Sequence, residues 1–303
     1  MAPIRIGTRG SRLALWQAHY VADALRPLAG ARPVELVEIQ TVGDQVRDRP
    51  LAQIGGIGLF TKEIQRALLD GTVDVAVHSL KDLPTLPVPG LRLAAVPPRG
   101  PHGDVFMSDK LARFDVLPPG ARLATGSLRR RSQVLHRRPD LRLQDIRGNV
   151  ETRLQKLKDF DLDGLILAEA GLVRLGLADA VTEVLDPAWM LPAVGQGALG
   201  LECREDDAAT FELLAGINHA ATHQAILAER AMLFALGGGC LVPIGAATTV
   251  ATNVLTLRGA VLSPDGAQRV AGQTVGPLAD AEDLGKRLAA DLLARGAKEI
   301  LNP

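Results

Sequence analysis

Cysteine is scarce in this sequence. Its 303 residues include two, Cys203 and Cys240, too few for a disulfide framework, so a reducing compartment such as the cytoplasm is expected. Aromatic residues make up 3%, leaving little material for stacking on nucleic-acid bases or for a membrane-interface belt. An excess of either charge is also missing: 34 Lys+Arg face 34 Asp+Glu, for a formal net charge of zero. That argues against nucleic-acid binding through global basicity, although a neutral sum does not rule out a local patch. No apolar run is long enough to span a membrane, and Met1 to Gly7 has no secretory h-region. The six histidines are scattered, and no zinc or other metal pattern is read among them. What is present is ordinary for a folded protein: 47% hydrophobic and 22% charged residues, with a length that suggests two or three domains.

The first half alternates strand and helix signals. Ile4-Arg5-Ile6 reads as a strand, Leu13 to Leu25 as a helix, and Val34 to Ile39 as a half-buried strand. Thr61 to Leu69 reads as a helix with Thr61 as its N-cap, and Val73 to Val77 and Leu91 to Val96 as strands. After Pro97-Pro98 the pattern repeats. Strands are expected at 122–124, 141–146 and 165–167, and helices at 128–135, 150–157 and from Ala170. Such alternation predicts βαβ units and mainly parallel sheets. Both units open alike, with a strand, then Thr8-Arg9-Gly10-Ser11 or Thr125-Gly126-Ser127, then a helix. The last third is α+β in character. Helices at 206–215 and 220–236 precede three strand segments, with a hairpin turn at Ser263-Pro264-Asp265-Gly266 and a closing helix at 279–293.

Basic residues concentrate between 121 and 153. Nine arginines and no lysine face Asp140, Asp145 and Glu151, a local balance of +6. Arginine suits bidentate recognition of carboxylate or phosphate. Arg129 and Arg130 fall in the first turn of a helix, where free N–H groups favour anions, and Thr125 and Ser127 add hydroxyls there. Arg137 and Arg138 read instead as a solvated face. Thr8-Arg9-Gly10-Ser11 has the same placement; Thr8 or Ser11 could equally serve as a helix cap. Lys81 and Asp82 stand at the end of a Val-rich strand, where α/β sheets keep catalytic groups, and a carboxylate there could stabilise a cation or transfer protons. The bland alternative is a surface ion pair of little worth. His78 reads as structural. Gly195-Gln196-Gly197-Ala198-Leu199-Gly200 matches a dinucleotide pattern formally, but strand-like residues follow where a helix is required. Cys240, after three glycines, is a candidate for covalent chemistry or a small buried residue; Cys203 lies in an apolar strand.

Taken in order, these segments resemble the hydroxymethylbilane synthase, or porphobilinogen deaminase, family. The matching blocks are Thr8-Arg9-x-Ser11-x-Leu13-Ala14 with Gln17, then Gly58 to Glu63, then His78-Ser79-Leu80-Lys81-Asp82-Leu83-Pro84. Ser127-Leu128-Arg129-Arg130, Arg147-Gly148-Asn149-Val150 with Arg153, and Ala170-Gly171-Leu172 with Arg174 follow. Leu191 to Gly197 and Gly238-Gly239-Cys240 with Val242-Pro243 complete the series.

The resemblance implies two periplasmic-binding-protein-like α/β lobes flanking a cleft, plus a smaller α+β C-terminal domain. The expected boundaries are 1–97 with 194–216, 98–193, and 217–303. It implies a cytoplasmic, monomeric transferase of porphyrin and haem biosynthesis. Such an enzyme deaminates porphobilinogen, polymerises it on a covalent dipyrromethane cofactor, and releases the linear tetrapyrrole with water. Carried over by position, Cys240 anchors the cofactor through a thioether. Asp82 is the catalytic carboxylate, facing pyrrole N–H groups and an azafulvene-like cation, assisted by Lys81 and Arg9. Ser11, Gln17, Ser79, Thr125, Ser127, Arg129, Arg130, Arg147, Arg153, Arg174, Gln196 and Gly197 join Lys81 and Asp82 around the cofactor. Each pyrrole brings two carboxylates, which accounts for an arginine cluster without phosphate motifs.

Three positions depart from the family pattern: Ile57 where lysine is common, Gly126 where serine is, and Leu241 where a polar residue is. One rival reading is a non-catalytic two-lobed binding protein for a polycarboxylate anion, which leaves Asp82 and Cys240 without a task. The other is a nucleic-acid binder, against which the neutral total and few aromatics speak.

Overall fold

The computed structural model describes residues 2–45, 58–238 and 242–301. Cys240, Leu241 and Ile57 lie outside the described residues.

In chain order the first elements are β1 (Ile4–Thr8), α1 (Arg12–Leu25), β2 (Val34–Glu38), α2 (Lys62–Leu69), β3 (Val75–Ser79) and β4 (Leu91–Ala95). Next come β5 (Asp104–Met107), β6 (Arg122–Ala124), α3 (Leu128–Arg137), β7 (Arg142–Gln144), α4 (Val150–Asp159), β8 (Gly164–Ala168), α5 (Glu169–Arg174) and β9 (Glu183–Val184). Then follow β10 (Leu199–Arg204), α6 (Ala208–Ala215), α7 (Ala220–Ala235), β11 (Ile244–Ala251), β12 (Val254–Leu262), β13 (Arg269–Pro277), α8 (Ala281–Leu292) and a last short helix, α9 (Lys298–Leu301).

The chain divides into two compact units, one of residues 1–100 with 197–223, the other of 101–196 with 224–303. The first holds a five-stranded sheet ordered β2-β1-β3-β10-β4. Its core is set by period: Ile4 and Ile6 alternate along β1, while Ala18, Val21, Ala22 and Leu25 form one face of α1. Burying each large aliphatic side chain stabilises by about 1.5–3 kcal/mol.

The second unit contains two sheets. One is five-stranded, ordered β7-β6-β8-β5-β9, and the other is the antiparallel β11-β12-β13. Met232 of α7 and Leu284 and Leu288 of α8 pack with Leu255, Leu257 and Val261 of β12. Gly285 is required here, because a Cβ would come 2.3 Å from the carbonyl oxygen of Ala228. The turn from Ser263 to Gly266 joins β12 to β13, with Gly266 at φ +76°.

The fold is thus α/β with a smaller α+β part. The expectation of mainly parallel sheets holds by strand direction, four of the five strands in each sheet running one way, but each sheet is mixed through one reversed strand. β10 runs antiparallel to β3 and β4, and β5 antiparallel to β8 and β9. These two strands do not enter through βαβ crossovers, the connection that enforces parallel pairing. β5 and β9 had no clear sequence signal. All four residues of β5 are buried, including its leading carboxylate, Asp104, so no alternation marks it.

Candidate active site

In the first unit the candidate residues gather at the carboxyl ends of β1 and β3. β1 leads through Arg9 and Gly10 into α1, whose N-cap is Ser11; its hydroxyl accepts from the Ala14 N–H at 3.3 Å. The Thr8 hydroxyl donates to the Ala14 carbonyl at 3.2 Å and pins the same turn. The Arg9 guanidinium lies over the Phe60 ring, 4.2 Å from its centroid. β3 ends at Ser79 and passes into a single 3₁₀ turn, Leu80–Asp82. Leu80 is buried and locks that turn to the core, while Lys81 and Asp82 are half-buried. Gln17, on the buried face of α1, exchanges hydrogen bonds with the Ser79 hydroxyl at 2.8 and 3.2 Å. The Asp82 carboxylate makes no hydrogen bond or ion pair among the described residues. His78 is buried and lies 3.0 Å from the Glu202 carboxylate, which also accepts from the Gln65 amide. The structural reading of His78 holds, with a partner that sequence spacing did not reveal.

In the second unit the basic stretch separates into different tasks. Ser127 is the N-cap of α3 and accepts from the Arg130 N–H; the Thr125 hydroxyl accepts from the Ser127 N–H at 3.3 Å. Arg129 and Arg130 are 4% and 5% exposed, and both turn onto Asp104, which is fully buried. Arg129 Nη1 lies 2.5 Å from Asp104 Oδ2, and Arg130 Nη2 lies 2.8 Å from Oδ1. Burial alone would push the Asp104 carboxyl up. The two guanidiniums outweigh this and hold it well below the usual carboxylate range. Gln196 belongs to the same network: its amide donates to Asp104 Oδ1 at 2.9 Å and to the His102 and Gly103 carbonyls at 3.0 Å. Its side chain therefore faces the protein's own Asp104. Gly197 has φ +82°, and its carbonyl accepts from the Gly100 N–H in the first unit. The segment from Gly195 runs into β10 and not into a helix, against a dinucleotide loop as the sequence indicates.

Arg147 keeps a buried Nη1 without a hydrogen-bond partner, and Arg129 keeps a buried Nε in the same state. Burial pulls the Arg147 guanidinium below its ordinary value, opposed by Asp145. Arg153 donates from Nε to the Gly148 carbonyl at 2.8 Å, and Arg174 ends α5. Arg137 pairs with Asp115 and Arg138 with Asp140 at the surface, as a solvated face should. Gly126 departs from the family pattern for a visible reason: a Cβ there would come 2.6 Å from the Ile146 carbonyl oxygen.

The sequence matches the family description "Porphobilinogen deaminase, dipyromethane cofactor binding domain" over residues 4–212, and "Porphobilinogen deaminase, C-terminal domain" over 223–294. The chain belongs to the porphobilinogen deaminase family. The porphobilinogen deaminase of Trichlorobacter lovleyi is 54% identical over 303 residues, covering 99% of this chain and 97% of its own. That of Syntrophotalea carbinolica is 52% identical over 298 residues, covering 98% and 95%. Among solved structures, a periplasmic substrate-binding protein of an ABC transporter from Coxiella burnetii aligns over 71% of this chain and 91% of its own. Its identity is 15% and its TM-score 0.44, too remote to bear on function.

Porphobilinogen deaminases carry a dipyrromethane cofactor, and the donors described suit one. Its side chains are carboxylates. The unpartnered buried N–H groups of Arg129 and Arg147 are costly until they meet an acceptor. Cys240, the expected anchor, lies outside the described residues. Among those described, no helix is long and apolar enough to cross a membrane.

Proposed function

We propose that Asp82 is the proton-transferring and cation-stabilising carboxylate of this porphobilinogen deaminase. We further propose that Arg9, Ser11, Lys81, Thr125, Ser127, Arg129, Arg147, Arg153 and Arg174 hold or orient the carboxylates of the pyrrole chain. The activity itself is that of the family, a transferase that deaminates porphobilinogen and joins the pyrroles head to tail into hydroxymethylbilane. The dipyrromethane cofactor, which we place on the Cys240 sulfur, supplies the free pyrrole position on which the chain grows.

The observation that carries the role of Asp82 is that its carboxylate is committed to no other group among the described residues. It stands on a short turn held at both ends. Leu80 is buried in the core, its N–H bonded to the Ala198 carbonyl at 3.0 Å, and the Leu83 N–H closes the turn onto the Leu80 carbonyl. Loss of ammonia from the substrate leaves positive charge on a pyrrole, which a fixed, partly desolvated carboxylate stabilises. The same Asp82 oxygens can then take the proton released when the new carbon–carbon bond forms. Lys81, the adjacent cation, and Arg9, stacked on Phe60, suit the substrate's acetate and propionate groups.

We also place the domain boundaries at 1–97 with 194–216, 98–193, and 217–303, and read the protein as a cytoplasmic monomer. Asp82→Asn and Asp82→Ala test the central role, with Cys240→Ser as the control that lacks the cofactor's added mass. Both Asp82 variants should keep that mass while turnover falls about 10²- to 10⁴-fold. Near-normal turnover in both removes Asp82 from the reaction.

A further inference from the structure

We propose that Asp104 is a positioning residue for carboxylate binding, acting through Arg129 and Arg130, with Gln196 and Glu229 fixing where it stands. This rests on the reading that Arg129 meets a carboxylate of the pyrrole chain.

The geometry divides the two arginines. Arg129 has both terminal nitrogens engaged, Nη1 with Asp104 Oδ2 at 2.5 Å and the Leu191 carbonyl at 2.7 Å, Nη2 with Asp104 Oδ1 at 3.3 Å. Its Nε–H is buried and unpartnered. Arg130 gives Nε to Asp104 Oδ1 at 2.9 Å, Nη1 to the Ile166 carbonyl at 3.1 Å and Nη2 to Gln196 Oε1 at 3.4 Å. Every nitrogen of Arg130 thus has an acceptor within the protein, whereas Arg129 retains a donor for an incoming group. One carboxylate shared by two guanidiniums leaves a single net positive charge on the trio, enough to attract an anion without stranding two unpaired charges in the interior.

Asp104 is itself held from a distance. The Gln196 amide donates to it at 2.9 Å. The residue before Gln196, Gly195, has φ +73° and gives its N–H to the fully buried Glu229 carboxylate at 2.8 Å. Glu229 also accepts from the Thr248 hydroxyl of β11 at 2.7 Å. Through the Gly195–Gln196 backbone, these hydrogen bonds connect the three-stranded sheet to the Arg129 guanidinium. An arginine side chain free to rotate gives up entropy when it binds; one already fixed gives up less. Asp104 contributes to binding by placing Arg129, without touching the ligand.

The test compares four full-length variants purified alike: Arg129→Leu, Asp104→Asn, Gln196→Met and Phe106→Leu. Phe106 is a buried neighbour on β5 and serves as the control for lost stability alone. Thermal midpoint, the fraction of chain carrying the cofactor mass, KM and kcat are measured for each. We expect Arg129→Leu and Asp104→Asn to lower the cofactor-bearing fraction about fivefold or more, as loss of one hydrogen bond implies. Phe106→Leu should stay loaded at a comparable midpoint. Gln196→Met, which keeps the charge balance, should fall between, with KM raised more than kcat is lowered. A folded Asp104→Asn that loads like Phe106→Leu overturns the inference while leaving the role of Arg129 intact. Where Asp104→Asn does not fold, normal loading and KM in Gln196→Met overturn it. Normal loading in Arg129→Leu overturns the carboxylate reading itself, and this inference with it.

Discussion

The Gln17 amide and the Ser79 hydroxyl exchange hydrogen bonds at 2.8 and 3.2 Å, joining the first helix to the strand end that carries Asp82. The two residues are 62 positions apart in the chain. Ser79 is the last residue of β3, and the turn bearing Lys81 and Asp82 starts immediately after it. The position of the Asp82 carboxylate is therefore tied to α1 as well as to the sheet.

Replacing Gln17 tests that tie. Gln17→Leu keeps the volume and leaves the Ser79 hydroxyl without this partner, at a cost of about 1 kcal/mol. We expect kcat to fall about fivefold with the cofactor mass retained. Steady-state kinetics on the loaded enzyme decides it, and an unchanged kcat would show that the strand alone places Asp82.

Arg147 should behave in the opposite sense toward stability. Its Nη1 is buried without an acceptor, so Arg147→Leu removes an unsatisfied donor. The thermal midpoint should hold or rise, by up to about 1 kcal/mol of stability, while the cofactor-bearing fraction drops. A lower midpoint with full loading would assign Arg147 to the fold instead.

Asp104 sets a pH dependence. Its carboxyl is held well below the ordinary value, which is about 3.9 in an unfolded chain. A depressed folded-state value means the unfolded chain takes up protons first as the pH falls. The stabilisation is therefore complete above about pH 5 and is lost progressively as the pH drops through 4 and below. Urea unfolding at pH 6 and at pH 3 measures it. The loss should be smaller in Asp104→Asn, and an equal loss in both would put the acid sensitivity elsewhere.

Gly126→Ser restores the residue the family pattern favours, and we expect it to be harmful here. Its Cβ would sit 2.6 Å from a backbone oxygen, that of Ile146, so the backbone must shift at a cost of about 1–3 kcal/mol. Denaturant unfolding should show that loss. A variant as stable as the parent would mean that the β6–α3 connection accommodates the side chain without strain.

Much of this site could be read from the chain alone where the cause is local. Ser11 and Ser127 cap the helices that follow them because an N-cap needs only a hydroxyl and the next turn. The strand-to-turn placement of Asp82 came from a Val-rich run broken by proline. Arg137 and Arg138 were legible as a solvated face because their partners, Asp115 and Asp140, need no burial to form. Asp104 was not legible. It precedes Arg129 by 25 residues, opens a strand without alternation, and matters only because folding removes it from water. The partner of His78 was hidden in the same way, being a glutamate far along the chain, Glu202, that β10 brings alongside β3.

By itself the sequence determined the family, most of the strands and helices, the caps at Ser11 and Ser127 and the candidate side chains for the chemistry. Those depend on residue type and on neighbours within a few positions. Only the tertiary structure decided which charges are available. The +6 stretch between 121 and 153 is not a uniform cationic surface, since Arg129 and Arg130 share a carboxylate from outside it and Gln196 braces that carboxylate. Charge becomes specific through distance and desolvation, and both arise only when remote segments are packed together.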